Sequence, residues 1–132
     1  MGNLNVWAIL TAAIVTFVIG GLWYSPALFH RAWMRANRFT DADVSGGNMG
    51  LIFGLAFVFA VVMAFNLAMF LDAPDTTLVW GATAGGLASI WVALGIGTVA
   101  LFERRPAAYT LINGGYWVVS LVLMGAIIGG WR

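Results

Sequence analysis

Arg31, Arg35 and Arg38 follow one another at intervals of four and three residues. On a helix such positions share one face. Guanidinium groups gathered on one face match phosphate oxygens in charge and in donor geometry. That face is therefore a candidate contact for anionic lipid headgroups. A second polar group comprises His30, Glu103, Arg104 and Arg105. Histidine is the side-chain type that changes charge near neutral pH, so beside a carboxylate and two guanidiniums it could act as a switch. Two readings of this second group stand open. Either His30 and Glu103 meet across the molecule, or the four residues form a solvated charged rim whose only effect is to orient the chain.

Other chemistries lack their residues. The 132-residue chain has no cysteine and one histidine, which leaves out disulfides, thiolate metal sites and motifs that need two histidines. No nucleophile elbow and no phosphate-cradling glycine loop occurs. There is no lysine and the net charge is +1, so the clustered basic footprint of a nucleic-acid binder is missing. No catalytic, cofactor-binding or metal-binding residue is assigned, no cofactor is expected, and the chain does not read as an enzyme.

The elements that must hold these side chains are apolar helices. Hydrophobic residues make up 62% of the chain and charged residues 8%, against about 25% charged in soluble domains. A soluble chain this short has too little interior to hide so many apolar side chains. Leu4–Trp23 runs about 20 residues without a charge, enough to cross a hydrocarbon core at 1.5 Å per residue. Because Met1-Gly2-Asn3-Leu4-Asn5 carries no basic side chain, this run reads as a retained first span and not a signal peptide. Val6 stands where a myristoylation motif wants Ser or Thr.

Spans are expected at about 4–24, 49–71, 78–102 and 107–131. Trp23 and Tyr24 fall where an aromatic belt belongs. Pro26 cannot donate a backbone hydrogen bond and pushes Ser25 out of helical dihedrals. A new helix over about 26–39, with Ser25 as its cap, is the expectation. It sets Phe29, Ala32, Trp33, Ala36 and Phe39 opposite the three arginines, the pattern of a helix lying in the membrane interface. The other reading is a first span that simply runs on. Thr40-Asp41-Ala42-Asp43 resembles a cap for a further short turn, and Ser45-Gly46-Gly47-Asn48 a flexible connector.

In the third span Gly81, Gly85, Ser89, Ala93 and Gly97 are small and four apart. They make a ridge where another helix can approach closely, within the protomer or between protomers. No ionisable side chain lies in the central part of any span, which argues against proton-driven export. The remaining polar residues, Thr11, Thr16, Asn66, Thr83, Ser89, Thr98, Asn113, Tyr116 and Ser120, either knit helices together or line a path for an uncharged solute or ion.

Five of the six arginines fall in the first and third connections. By the excess of Arg on cytoplasmic loops, those connections face the cytoplasm and both termini face out, in the cell membrane. Ala27-Leu28-Phe29-His30-Arg31 is echoed by Ala100-Leu101-Phe102-Glu103-Arg104, and Asn48-Met49-Gly50 by Asn113-Gly114-Gly115. Two tandem hairpins would give such echoes, and so would chance between apolar segments.

Trp-Tyr-Ser-Pro at 23–26, Ala-Trp-Met at 32–34, Phe-Glu-Arg-Arg-Pro at 102–106 and Gly-Tyr at 115–116 resemble an uncharacterised bacterial membrane-protein family, domain of unknown function 1761. The resemblance covers nearly the whole chain. It implies a small four-span bacterial membrane protein and brings no activity with it. Small multidrug exporters are similar in size but carry a glutamate inside the first span, which is absent here.

The expected architecture is all-α, an integral membrane four-helix bundle with a short amphipathic helix between spans 1 and 2. The expected role is a self-associating structural or interaction module that touches anionic lipid, with membrane lipids and copies of itself as partners and no nucleic acid. The alternative is a small oligomeric channel or carrier for a small solute or ion.

Overall fold

A computed structural model describes residues 4–131. The readings of Met1–Asn3 and of Arg132 lie outside them. The described chain is all-helical: α1 (Val6–Trp23), α2 (His30–Asn37), α3 (Asp41–Ser45), α4 (Met49–Phe70), α5 (Leu78–Phe102) and α6 (Ala107–Gly130). The four long helices, α1, α4, α5 and α6, are each long and apolar enough to cross a membrane.

Helix starts are set by short polar side chains. Asn5 accepts from the Ala8 amide, Asn48 from Leu51 and Thr77 from Trp80, all at 3.1 Å. Each satisfies one of the amides that a helix leaves unpaired at its first turn. Asn48, in the expected flexible connector, is thus the cap of α4. Ahead of α3, Thr40 and Asp43 cap each other reciprocally.

The junction after α1 differs from expectation. Residues 25–29 form a compact turn, and α2 begins at His30 instead of Pro26. The Ser25 hydroxyl does not cap forward. It donates back to the Leu22 carbonyl at 2.6 Å, beside the Ser25 amide that donates to the same oxygen at 3.2 Å. The Ser25 carbonyl accepts from Leu28 and His30, and Trp23 from Phe29, so the chain reverses before it can wind a helix. Phe29 occupies the cap position with no side-chain bond.

Both α2 and α5 end the same way. Phe39 donates to Met34 and Arg105 to Ala100, closing wide turns over the last carbonyls. Arg38 (φ 57°) and Arg104 (φ 59°) hold the left-handed conformation that these turns require and that glycine usually supplies.

Neighbouring spans run antiparallel. Phe17 of α1 meets Phe53 and Phe57 of α4. Asn5 at the start of α1 donates to the Trp131 carbonyl just beyond α6, while Trp23 at its end reaches Ile112 near the start of α6. The connections holding Arg31, Arg35, Arg38, Arg104 and Arg105 therefore lie at one end of the molecule. The 71–77 turn and residues 5 and 131 lie at the other.

Helix α6 is the hub: it packs on α1, α2, α4 and α5, whereas α5 packs substantially on α6 alone. The apolar core, with Ile9, Ala64, Leu67, Leu71, Leu121, Met124 and Ile128, gathers toward the arginine-poor end. Large apolar side chains such as Phe59, Trp91, Leu101 and Phe102 cover the outside. An aqueous surface rarely tolerates contiguous patches of that kind, whereas hydrocarbon does.

Candidate functional site

At the arginine-rich end the packing changes from aliphatic to aromatic and hydrogen-bonded. The Trp23 indole N–H donates to the Ile112 carbonyl at 2.8 Å. Its ring lies over Gly115, where a Cβ would sit 3.0 Å from Cζ2. In the opposite direction Tyr116 lies over Gly20, where a Cβ would sit 3.2 Å from the phenol oxygen. The Tyr116 hydroxyl donates to the Thr16 carbonyl at 3.0 Å. Each helix thus offers a glycine to the other's aromatic ring, and each ring donates to a backbone carbonyl of the helix it covers.

Tyr24 completes this contact. Its hydroxyl donates to Asn113 Oδ1 at 2.6 Å, and Asn113 Nδ2 donates to the Tyr109 carbonyl at 3.0 Å. The Tyr24 ring meets Tyr116 and Trp33 edge-on, at 5.5 and 5.9 Å between centroids. Edge-on rings place a positive rim against a negative face, which adds to burial. The residues of the Trp-Tyr-Ser-Pro motif therefore have structural work: Trp23 and Tyr24 clasp α6, Ser25 closes α1, and Pro26 lies in the turn that follows.

Helix α2 rests on this clasp. Ala36 is buried, Trp33 is half-buried against Tyr24 and Phe39, and Arg31, Arg35 and Arg38 are all exposed. The apolar side of α2 is thus partly covered by the protein's own Tyr24 and α6, with Phe29 and Trp33 half-buried and Phe39 exposed. Phe29 stacks on Trp23 at 4.8 Å.

The second polar group separates into two. Glu103 pairs with Arg105 at 3.4 Å, and the Arg105 guanidinium lies 5.4 Å over the Tyr109 ring. Both partners of the ion pair are substantially exposed, so it adds little stability. His30 lies against Trp33, at 6.2 Å between ring centres, on a helix that packs on α6. Arg104 takes the left-handed turn position.

The small residues of α5 face α6. A Cβ on Gly81 would overlap the Gly125 carbonyl oxygen and lie 3.0 Å from Gly129 Cα; one on Gly85 would overlap the Leu121 carbonyl. Gly114 lies against Ala93, and Gly97 against Thr110. Ser89 is buried, its hydroxyl turned back to Gly86. Backbones this close gain dispersion and weak Cα–H···O contacts along their length, the means by which helices associate in lipid.

Thr16, Asn66, Thr83 and Thr98 likewise bond to carbonyls of their own helices, while Asn113 and Tyr116 take part in contacts between helices. Ser120 is fully buried, and among the described residues its hydroxyl has no hydrogen-bond partner.

Four long apolar helices and an apolar exterior make the chain an all-helical protein compatible with a multi-pass membrane protein. The chain belongs to the family described as "Protein of unknown function (DUF1761)", whose model matches residues 7–129. No curated protein and no solved structure matches the chain. The sequence placed Trp23 and Tyr24 where an aromatic belt belongs and Asn113-Gly114-Gly115 near the start of the fourth span. That these two segments fit each other had one trace in the sequence: bulky aromatics in one and adjacent glycines in the other.

Proposed function

We propose that this protein is a non-enzymatic interaction module of the cell membrane, which self-associates in the bilayer and presents a basic helix to anionic headgroups. The observation that carries the reading is the exposure of Arg31, Arg35 and Arg38 on a helix whose other side is pinned to Tyr24 and α6. A pinned helix holds its three charges outward at little further entropic cost. The excess of arginine at this end favours a cytoplasmic placement for it, with the termini outside. The cytoplasmic leaflet is negative, and each basic group close to it contributes about 1 kcal/mol. Self-association is supported by the bare apolar flanks of α5 and α4.

The test compares the purified protein with an Arg31→Gln, Arg35→Gln, Arg38→Gln variant in micelles doped with phosphatidylglycerol or phosphatidylcholine. Phosphatidylglycerol should raise the Tm of the native protein, more at low salt than at high, and leave the variant unmoved. An equal response in both proteins overturns the lipid reading and leaves a protein partner for that face.

A further inference from the structure

Helix α2 has little of its own to hold it together. It is eight residues long, and isolated helices shorter than about 12–15 residues are marginal in water. No side chain caps its first turn, and no acidic residue lies there. Arg31 stands in that first turn instead, at the positive end of the helix dipole. Arg31 and Arg35 are four apart, a spacing at which like charges weaken a helix. The arginines share one face only while α2 stays helical.

What holds α2 is its docking. Ala36 is buried, Trp33 meets the Tyr24 ring edge-on at 5.9 Å, and the helix packs on α6. Tyr24 joins three elements. It closes α1, its ring meets both Trp33 of α2 and Tyr116 of α6, and its hydroxyl donates to Asn113 Oδ1 at 2.6 Å. Asn113 is oriented in turn by its own bond to the Tyr109 carbonyl. The ring that supports α2 is therefore fixed by the contact between α1 and α6.

We propose that α2 is helical only when docked, and that Tyr24, fixed by Asn113, couples headgroup binding at Arg31, Arg35 and Arg38 to the contact between α1 and α6. A phosphate shared by guanidiniums offsets their mutual repulsion, so it favours the helical, docked α2. Docking sets Trp33 against Tyr24 and so favours the Tyr24–Asn113 bond. Such coupling is reciprocal: the α1–α6 contact raises headgroup affinity by the factor by which the headgroup strengthens that contact. Tyr24 and Asn113 are positioning residues that act through α2. The coupling rests on the anionic-lipid reading above and gives that site a regulatory output: anionic lipid at this face sets how firmly α1 is held on α6.

The test titrates phosphatidylglycerol into phosphatidylcholine micelles holding the full chain, and reads the rise in Tm and the hydrogen–deuterium exchange of the α2 amides. Tyr24→Leu removes ring and hydroxyl and leaves every arginine in place. It should need about tenfold more phosphatidylglycerol for the same rise in Tm, because only the docked fraction presents the aligned arginines. Its α2 amides should exchange faster than in the native protein. Tyr24→Phe keeps the edge contact with Trp33 and loses the bond to Asn113, so it should fall between the two, as should Asn113→Ala. Gly85→Ala loosens the seam between α5 and α6 instead, and should keep the native half-response at a lower Tm. Phosphatidylglycerol should slow α2 exchange in Tyr24→Phe, and adding Arg31→Gln, Arg35→Gln and Arg38→Gln should abolish that slowing. A native response from Tyr24→Phe and Asn113→Ala overturns the coupling, whether or not Tyr24→Leu folds, and leaves the lipid reading standing with the bilayer alone ordering α2. A shift in Gly85→Ala as large as in the Tyr24 variants also overturns it, by tracing the effect to general loosening. A native protein that does not respond to phosphatidylglycerol overturns the coupling and the lipid reading together.

Discussion

Trp23 and Gly115 meet so closely that the glycine's missing Cβ would lie 3.0 Å from the indole ring. The same indole bonds the Ile112 carbonyl. Shape and hydrogen bond are two parts of one contact, and they separate by mutation. Trp23→Phe keeps most of the ring and removes the donor; the cost should be about 0.5–2 kcal/mol. Gly115→Leu drives side-chain atoms into the ring, and overpacking of this kind costs about 1–3 kcal/mol. Chemical unfolding in detergent, followed by tryptophan emission, measures both. If both variants unfold like the native protein, the clasp contributes nothing to holding α1 on α6.

The glycine contact of α5 with α6 is less forgiving. At Gly85 even one methyl would overlap the Leu121 carbonyl, part of a rigid helix backbone. Gly85→Ala should therefore lower Tm measurably and Gly85→Leu more so, with a loss of about 1–3 kcal/mol or greater. Gly95→Ala serves as the control, because a Cβ there is free of contacts. Equal stability of Gly85→Ala and Gly95→Ala would show that α5 and α6 do not touch along this seam.

Arg38 and Arg104 occupy left-handed turn positions at the ends of α2 and α5. A side chain there costs about 1 kcal/mol relative to glycine, partly offset by a cation beside the helix C-terminus. Arg104→Gly should leave Tm unchanged or raise it slightly. Arg38→Gly should do the same while reducing the response to phosphatidylglycerol. A clear drop in Tm for Arg104→Gly would mean that its charge outweighs its backbone strain.

The end-to-end arrangement is open to labelling. Asp75→Cys lies in the turn between α4 and α5, and Ser45→Cys closes α3 at the arginine-rich end. A membrane-impermeant maleimide added to intact cells should modify Asp75→Cys and reach Ser45→Cys only after permeabilisation. Reversed labelling would invert the orientation, and labelling of both from outside would break the four-span arrangement.

Asp43 offers a pH test confined to the cap of α3. The Thr40 amide and hydroxyl, donating to its carboxylate at 2.8 and 3.0 Å, hold its pKa below the usual 3.8. A depressed folded-state pKa means that the cap is fully formed above the ordinary carboxylate value and is lost as pH falls through the lower, folded-state one. The Thr40 amide shift in NMR should therefore titrate below 3.8. Asp43→Asn should abolish that titration, and a midpoint at or above the ordinary value would contradict the reciprocal cap.

Span positions, the break at Pro26 and the concentration of arginine at one end were legible in the sequence. They depend on apolar run length, on a missing amide hydrogen and on where charges fall, all of which are properties of the chain taken a few residues at a time. The closeness of the ridge along Gly81 and Gly85 could be read as well, but not its occupant, because small residues state that a neighbour comes near without stating which. Tertiary structure decided that α6 fills that place and also takes Trp23, 89 residues away from Ile112 in the chain. It turned the Ser25 hydroxyl back onto the Leu22 carbonyl, and α2 starts at His30 without a side-chain cap. The contacts of His30 with Trp33 and of Glu103 with Arg105 are local, between residues three and two apart in the chain. The echo between the two hairpins does not extend to their packing: α5 and α6 meet through glycine backbone, whereas α1 and α4 meet through Phe17 set among Phe53 and Phe57. In lipid all apolar faces are nearly equivalent to the solvent. Partner choice therefore falls to backbone clearance and a few hydrogen bonds, and those exist only once two distant segments have been brought together.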